Sequence, residues 1–109
     1  MNKILYEYYY VVGHRDFESY YILRVDRETE KMYYGEVFSP NKTATKGNRF
    51  SIKKENLDSV YEITNTNHGL VYRVQVDAED EYAAKAKAKQ IVYDYIINVV
   101  EGFKNYEGD

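Results

Sequence analysis

The chain has 109 residues, a hydrophobic fraction of 44% and a formal net charge of −3 at pH 7, which fits one folded domain and excludes a disordered chain. It contains no cysteine, so disulfides, thiolate metal sites and cysteine nucleophiles are excluded. With this mild negative charge, the chain lacks the strongly basic surface of a protein that binds duplex DNA. No apolar run approaches the roughly 20 residues that are needed to cross a bilayer.

The first third of the chain predicts an antiparallel meander of three strands. Residues 4–12 are β-branched or aromatic almost throughout and run into a turn that contains glycine. Residues 19–25 alternate between apolar and polar side chains, a charged turn follows at 26–31, and the apolar pattern returns at 32–38. Pro40 ends the meander, because proline removes a backbone donor from a strand.

Residues 40–49 predict the longest loop, since they carry turn formers, no apolar period and the most basic composition of the chain. The pattern is not a Walker loop, which needs two glycines at fixed spacing followed by Lys and Ser or Thr. We expect either a solvated loop or a flexible clamp over a phosphorylated small ligand, held by charge-assisted hydrogen bonds. The candidate binding residues for that ligand are Lys42, Lys46 and Arg49, together with Arg24, Arg73 or Arg15 from the sheet.

The middle of the chain predicts further strands joined by polar turns. Short strands are expected at 50–52 and 60–63, with a bend or a helical turn between them at 54–59. A hairpin turn at 65–69 then leads into a clearly alternating strand at 70–76.

Residues 79–100 predict one long amphipathic helix. Asp77 precedes it and forms an acidic variant of the capping box with Asp80, three residues later. Gly102 is expected to end the helix, with Phe103 folding back as its hydrophobic contact. The apolar stripe that we expect to pack on the sheet is Ala84, Ala88, Ile91, Val92, Tyr95, Ile96 and Val99.

Together these elements predict a single α+β domain over residues 1–109. The expected fold is an antiparallel sheet of five to six mostly meandering strands within residues 3–77, followed by the C-terminal helix at 79–100 packed across one face and a frayed tail at 104–109.

The sequence carries no recognisable catalytic or metal-binding pattern. His14 and His68 lie in predicted turns, and neither stands at a metal-ligand spacing from another histidine or a carboxylate. No Gly-x-Ser-x-Gly elbow is present, and the acidic residues are scattered along predicted surface faces. We therefore predict no catalytic residue, no metal and no cofactor, and expect a protein that is not an enzyme.

Tyrosine is the unusual feature of the composition, with 14 Tyr and no Trp. On the first strand the alternation places Tyr6, Tyr8 and Tyr10 on one face, and other apolar residues on the opposite face, so both faces are apolar. One helix can cover only one of them. The other is expected either to be buried by a second layer of the same chain or to be presented to a partner, where tyrosines are frequent hot spots. The candidate surface residues are Tyr8, Tyr10 and Tyr34.

The function that these features favour is a small, non-catalytic binding or inhibitor protein that acts through the tyrosine-rich sheet. The composition is that of an AT-rich genome, which suggests an accessory protein of a phage or mobile element that antagonises a host defence machine. The alternatives are a protein that sequesters a nucleotide or phosphate, a small enzyme, or a nucleic-acid binder.

The expected partner is a protein, a second copy of the chain as a homodimer, or a phosphorylated small ligand. Nucleic acid is disfavoured as a partner, because acidic residues cluster at 77–81 before the helix and Lys85, Lys87 and Lys89 spread around it. With no membrane-spanning run and no signal pattern, the expected location is the cytoplasm, or the host cytoplasm for a phage-encoded chain.

Overall fold

The computed structural model describes residues 3–13, 17–40, 44–67 and 69–107, with the side chains of 12, 13, 17, 18, 44–47 and 105–107 left undescribed. Six antiparallel strands form one curled sheet, and one long helix follows, which confirms the predicted α+β fold. The strands and helix are β1 (Lys3–Gly13), β2 (Phe17–Glu28), β3 (Met32–Phe38), β4 (Ala44–Lys53), β5 (Ser59–Thr66), β6 (Gly69–Val76) and α1 (Glu81–Glu107).

The sheet has the strand order β4-β3-β2-β1-β6-β5. β1 to β3 form the predicted three-stranded meander, and β4 extends it by pairing with β3. β5 and β6 form a hairpin that joins the sheet because β6 pairs with β1. β4 and β5 are therefore edge strands, about 24 Å apart in a flat sheet. Only residues 54–58 connect them, and six residue steps reach at most about 21 Å. The sheet must curl, so it has a concave face and a convex face.

Gly35 allows β2 and β3 to come close together within this curl. A Cβ atom at this position would lie 1.8 Å from the Arg24 carbonyl oxygen and 2.8 Å from Cε1 of Phe50. The pairing register shifts near it, between Val25 and Arg27 on β2. Such a bulge bends a strand and increases its twist, which helps the sheet to fold over on its concave side.

The convex face of β1 forms the main core with the helix. Tyr6, Tyr8 and Tyr10 are at most 9% exposed there. The Tyr8 hydroxyl donates to the Glu81 carbonyl at 3.1 Å, and the Tyr10 hydroxyl donates to the Lys85 carbonyl at 3.4 Å. The remaining buried members of this core are Ile22, Tyr72, Val74, Val76, Ala84, Ala88 and Val92.

The helix begins two residues later than predicted. Its first free N–H groups are capped by Asp80, whose Oδ1 accepts from the Ala83 N–H at 2.8 Å. Asp77 has a different role, because its carboxylate pairs with Lys3 at 2.7 Å and its carbonyl accepts from Lys87 Nζ. The prediction that these two aspartates lie at the start of the helix is correct, but the residue that caps the helix is Asp80.

The helix also ends later than predicted, because it continues through Gly102 to Glu107. A glycine inside a helix costs only about 0.5–1 kcal/mol relative to alanine, so it does not by itself end the helix. The predicted apolar stripe packs on the sheet as far as Ile96, whereas Val99 is 55% exposed and Phe103 is 64% exposed. Within the described part of the chain, no helix is both long and apolar enough to cross a membrane.

The concave face carries a second, smaller core. Leu5, Leu23, Val25 and Ile52 are at most 5% exposed and contact one another across β1, β2 and β4. The connection between β4 and β5 contributes Leu57 to this cluster. The second apolar face of β1 is thus partly buried by the curl of the same chain, which was one of the two outcomes expected from the sequence.

The prediction of a loop over 40–49 is wrong from Ala44 onwards. β4 begins there and pairs with β3, from Ala44 opposite Phe38 to Lys53 opposite Met32. Backbone pairing with a neighbouring strand overrides the polar composition, because strand propensity depends strongly on context. Between β4 and β5, the structure has a short 3-10 turn at Lys54–Asn56, which is the helical alternative for this segment.

Candidate functional site

A cavity of about 490 Å³ opens on the concave face of the sheet. We call it the concave groove. Its lining comes from β1, β2, β3, β4, β5 and β6, so the curl of the sheet creates it. The lining residues are Glu7, Tyr9, Tyr21, Leu23, Val37, Asn48, Arg49, Phe50, Ser51, Ile52, Tyr61, Arg73 and Gln75.

Glu7 is a carboxylate in the floor of this groove, with 8% of its surface exposed. Its Oε1 accepts from the Tyr9 hydroxyl at 2.7 Å and from Arg73 Nη2 at 3.3 Å. Its Oε2 accepts from the Tyr61 hydroxyl and from Gln75 Nε2, each at 2.7 Å. Four donors match the roughly four acceptor positions of a carboxylate. The fold therefore maintains a fully hydrogen-bonded, charged group in a place where an unpaired charge would be costly.

The surroundings of Glu7 fix its charge. Burial raises the pKa of its carboxyl. The hydrogen bonds from Tyr61, Tyr9 and Gln75 and the charge of Arg73 together lower the pKa by more than burial raises it, so it lies below its usual value. Burial and the bond to Glu7 both raise the pKa values of the Tyr9 and Tyr61 phenols. At neutral pH the carboxylate is ionised and both phenols are protonated.

Arg73 lies between two tyrosine rings beside this carboxylate. Its guanidinium carbon is 4.9 Å from the centre of the Tyr9 ring and 5.2 Å from that of the Tyr61 ring. Its Nη1 also pairs with Glu62 at 2.7 Å. Arg73 therefore has two carboxylate partners and two aromatic partners, an arrangement that suits the flat, weakly hydrated guanidinium group.

Of the three described arginines that were predicted to bind phosphate, Arg49 and Arg73 line the groove, and Arg24 does not. Arg24 pairs with Glu36 at 3.1 Å on the convex side of the sheet, and Arg49 pairs with Asp26 at 2.8 Å in the same charged cluster. Arg73 is on the concave side, since it contacts Glu7. Each of the three arginines already has a carboxylate partner, so a phosphate would have to compete with an existing ion pair.

The three tyrosines assigned to a binding surface lie on the convex side. Tyr8 and Tyr10 are core residues beneath the helix, 2% and 9% exposed, and a partner could reach neither without displacing the helix. Tyr34 is partly exposed and carries the Arg27 guanidinium 4.0 Å from its ring centre. The tyrosines that line the groove are Tyr9, Tyr21 and Tyr61.

Some predicted site residues lie outside the described part of the structure. These are Lys42 and Arg15, together with the side chain of Lys46. The two histidines, His14 and His68, which were expected in turns, also lie outside it. Among the residues that are described, no three His, Asp or Glu side chains come together as metal ligands.

The sequence analysis missed the groove, although one signal for it was present. Glu7 is a single charged residue between Leu5 and Tyr9 on the same face of an otherwise apolar strand. A charge at such a position is buried only when it has partners. Its partners Tyr61, Arg73 and Gln75 come from strands more than 50 residues away, so only the fold brings them together.

Comparisons of this chain with protein-family models, with curated proteins and with solved structures find no match. The site must therefore be interpreted from its own chemistry.

Proposed function

We propose that the protein is a non-catalytic binding protein that holds its target in the concave groove. The observation that carries this proposal is a cavity of about 490 Å³ whose floor contains two polar residues, Glu7 and Gln75, that are less than 10% exposed. Binding sites for small molecules typically have this size and combine apolar walls with a few precisely placed polar groups.

The state of the polar groups supports binding rather than catalysis. A general acid or base works best with a pKa near the working pH, whereas the pKa of Glu7 is lowered and those of Tyr9 and Tyr61 are raised. Each of these shifts moves the group further from neutral pH. The oxygens of Glu7 are also occupied by four donors, which favours a rigid, preorganised wall over a reacting group.

The groove replaces the convex tyrosines as the proposed binding surface. Tyr21 is its most accessible aromatic wall, at 37% exposed, and its ring meets that of Tyr9 edge-on with centres 5.9 Å apart. The expected protein partner, the homodimer and the antagonism of a host machine stay predictions.

Native mass spectrometry of the protein purified from the cells that naturally express it tests this proposal. We expect a co-purifying species that is retained by wild type and lost by Tyr21→Ala, which removes an aromatic wall of the groove. Tyr82→Ala is the matched control, because Tyr82 is 87% exposed on the helix, and it should retain the species. Equal retention by Tyr21→Ala and Tyr82→Ala would contradict the proposal.

A further inference from the structure

The groove has an apolar wall next to its polar floor. Leu23, Val37 and Phe50 line it together with the ring of Tyr21. Phe50 and Val37 also pack against the small concave core, so this wall is held in place by buried neighbours. Aromatic and aliphatic walls of this kind favour a ligand with a flat apolar surface.

The charges that line the groove are already matched inside the protein. Glu7 is paired with Arg73, and Arg73 is paired a second time with Glu62. Arg49 is held by both carboxylate oxygens of Asp26, at 2.8 and 3.0 Å. An anionic or cationic ligand would have to compete with these pairs, whereas an uncharged ligand leaves them intact.

One polar atom in the groove floor remains unused. Gln75 must point its NH2 group at the Glu7 carboxylate, because an amide oxygen cannot donate, and its Oε1 accepts no hydrogen bond from the described residues. The Nε–H of Arg73 also has no acceptor among those residues, but it is fully buried and out of reach of a ligand in the groove. An unpaired acceptor beside a fully hydrogen-bonded carboxylate favours a ligand that brings a donor.

We infer that the concave groove binds an uncharged, planar ring compound that carries an N–H donor on one edge, as aromatic amides, imides and nucleobases do. The N–H donates to Gln75 Oε1, and the ring lies against Tyr21 and Phe50. This inference rests on the proposed function of the groove and adds the chemical class of its ligand.

Isothermal titration calorimetry with three matched pairs of compounds tests the inference. The pairs are uridine with uridine monophosphate, inosine with inosine monophosphate, and benzamide with benzoate. We expect at least one neutral compound to bind, and its charged counterpart to bind at least about tenfold more weakly. Because no charge is recruited, the affinity of the neutral compound should change less than about twofold when salt is raised.

Two variants connect this binding to the groove. Gln75→Met removes the unused acceptor and should weaken binding of the neutral compound at least about tenfold. Tyr21→Ala should have the same effect without removing a hydrogen-bond donor of Glu7. Tyr82→Ala should bind as wild type, and circular dichroism shows which variants are folded.

Two results would overturn the inference. If a charged compound binds as tightly as its neutral partner and Tyr21→Ala abolishes that binding, the ligand class is wrong and the groove remains the binding site. If none of the neutral compounds binds, the ligand class is also wrong, and the co-purification experiment with Tyr21→Ala decides separately whether the groove binds anything.

Discussion

The two faces of β1 show two different uses of the same residue type. On the convex face, Tyr8 and Tyr10 stack against each other, with ring centres 6.1 Å apart, and pack beneath the helix. On the concave face, Tyr9 hydrogen-bonds to Glu7 and lines an open groove. Alternation along one strand thus separates structural tyrosines from tyrosines that surround a buried charge.

The difference lies in what covers each face. The helix closes the convex side of β1 with the side chains of Ala84, Ala88 and Val92, which are at most 5% exposed. The concave side is covered only by the curl of its own sheet, which closes around Leu5 and Leu23 and leaves the groove open beside them. A partly closed sheet thereby provides both a core and a cavity.

Gly35→Ala should destabilise the protein more than any other single change, through the concave side of the sheet. The new methyl group would collide with the Arg24 carbonyl oxygen, which is backbone and cannot move aside easily. We expect a loss of about 3 kcal/mol or more in the free energy of unfolding, measured by guanidinium denaturation. Gly102→Ala is the matched control, because its Cβ would meet nothing within 4 Å, and it should stabilise the helix by about 0.5–1 kcal/mol. Equal stability of the two variants would refute the proposed role of Gly35.

Glu7→Gln should be the next most destabilising change, at about 3 kcal/mol, because it leaves Arg73 next to a neutral group. The effect should depend on pH. Since the pKa of Glu7 is lowered in the folded protein, its stabilising contribution is complete above the unfolded value of about 4.3 and is lost as the pH falls through the lower folded value. Denaturation at a series of pH values should therefore show wild type and Glu7→Gln converging in acid and separating towards neutral pH. A difference that stays constant with pH would contradict this.

Val92→Ala and Val99→Ala compare the covered and uncovered parts of the helix. Val92 is 5% exposed on the side of the helix that packs on the sheet, and Val99 is 55% exposed two turns later. We expect a loss of about 2 kcal/mol for Val92→Ala and a change within about 0.5 kcal/mol for Val99→Ala, both by thermal or chemical denaturation. A large effect of Val99→Ala would show that a partner or a second copy covers this part of the helix.

Tyr9→Phe and Tyr8→Phe compare the two faces directly with the smallest change. The Tyr9 hydroxyl donates to a charged carboxylate, whereas the Tyr8 hydroxyl donates to a backbone carbonyl. Hydrogen bonds to charged groups contribute about 1.5–3 kcal/mol and neutral ones about 0.5–1.5 kcal/mol. Tyr9→Phe should therefore destabilise by about 1 kcal/mol more than Tyr8→Phe, and the opposite order would contradict the assignment of the two faces.

The sequence predicted the fold well because its strongest patterns are local. The strand at Met32–Phe38 has the predicted bounds, and β1 and β6 extend their predictions by one residue at one or both ends, since alternation and turn residues specify them. A short strand at 50–52 was predicted within β4, but the first part of β4 was missed because residues 44–49 carry no apolar pattern and their pairing with β3 is a property of the sheet. The helix end was missed because glycine ends helices often but not always.

The candidate site was harder to predict, because it depends on contacts between distant parts of the chain. Of the residues proposed from sequence, Arg49 and Arg73 line the groove, and the tyrosines Tyr8 and Tyr10 belong to the opposite face. Periodicity showed that both faces of β1 were apolar, but it could not say which face the helix would cover. The choice depends on Glu7, whose partners on β5 and β6 keep its face of β1 free of the helix.

The most direct test of the concave groove as the binding surface is an NMR titration of the isotope-labelled protein with phenol, a small uncharged compound that finds binding hot spots. We expect the amide shifts to concentrate at Tyr21, Leu23, Phe50 and Arg73, and to disappear in Tyr21→Ala. Shifts that instead cluster around Val99 and Phe103 on the exposed part of the helix, with the groove residues unchanged, would contradict the assignment and place the binding surface on the helix.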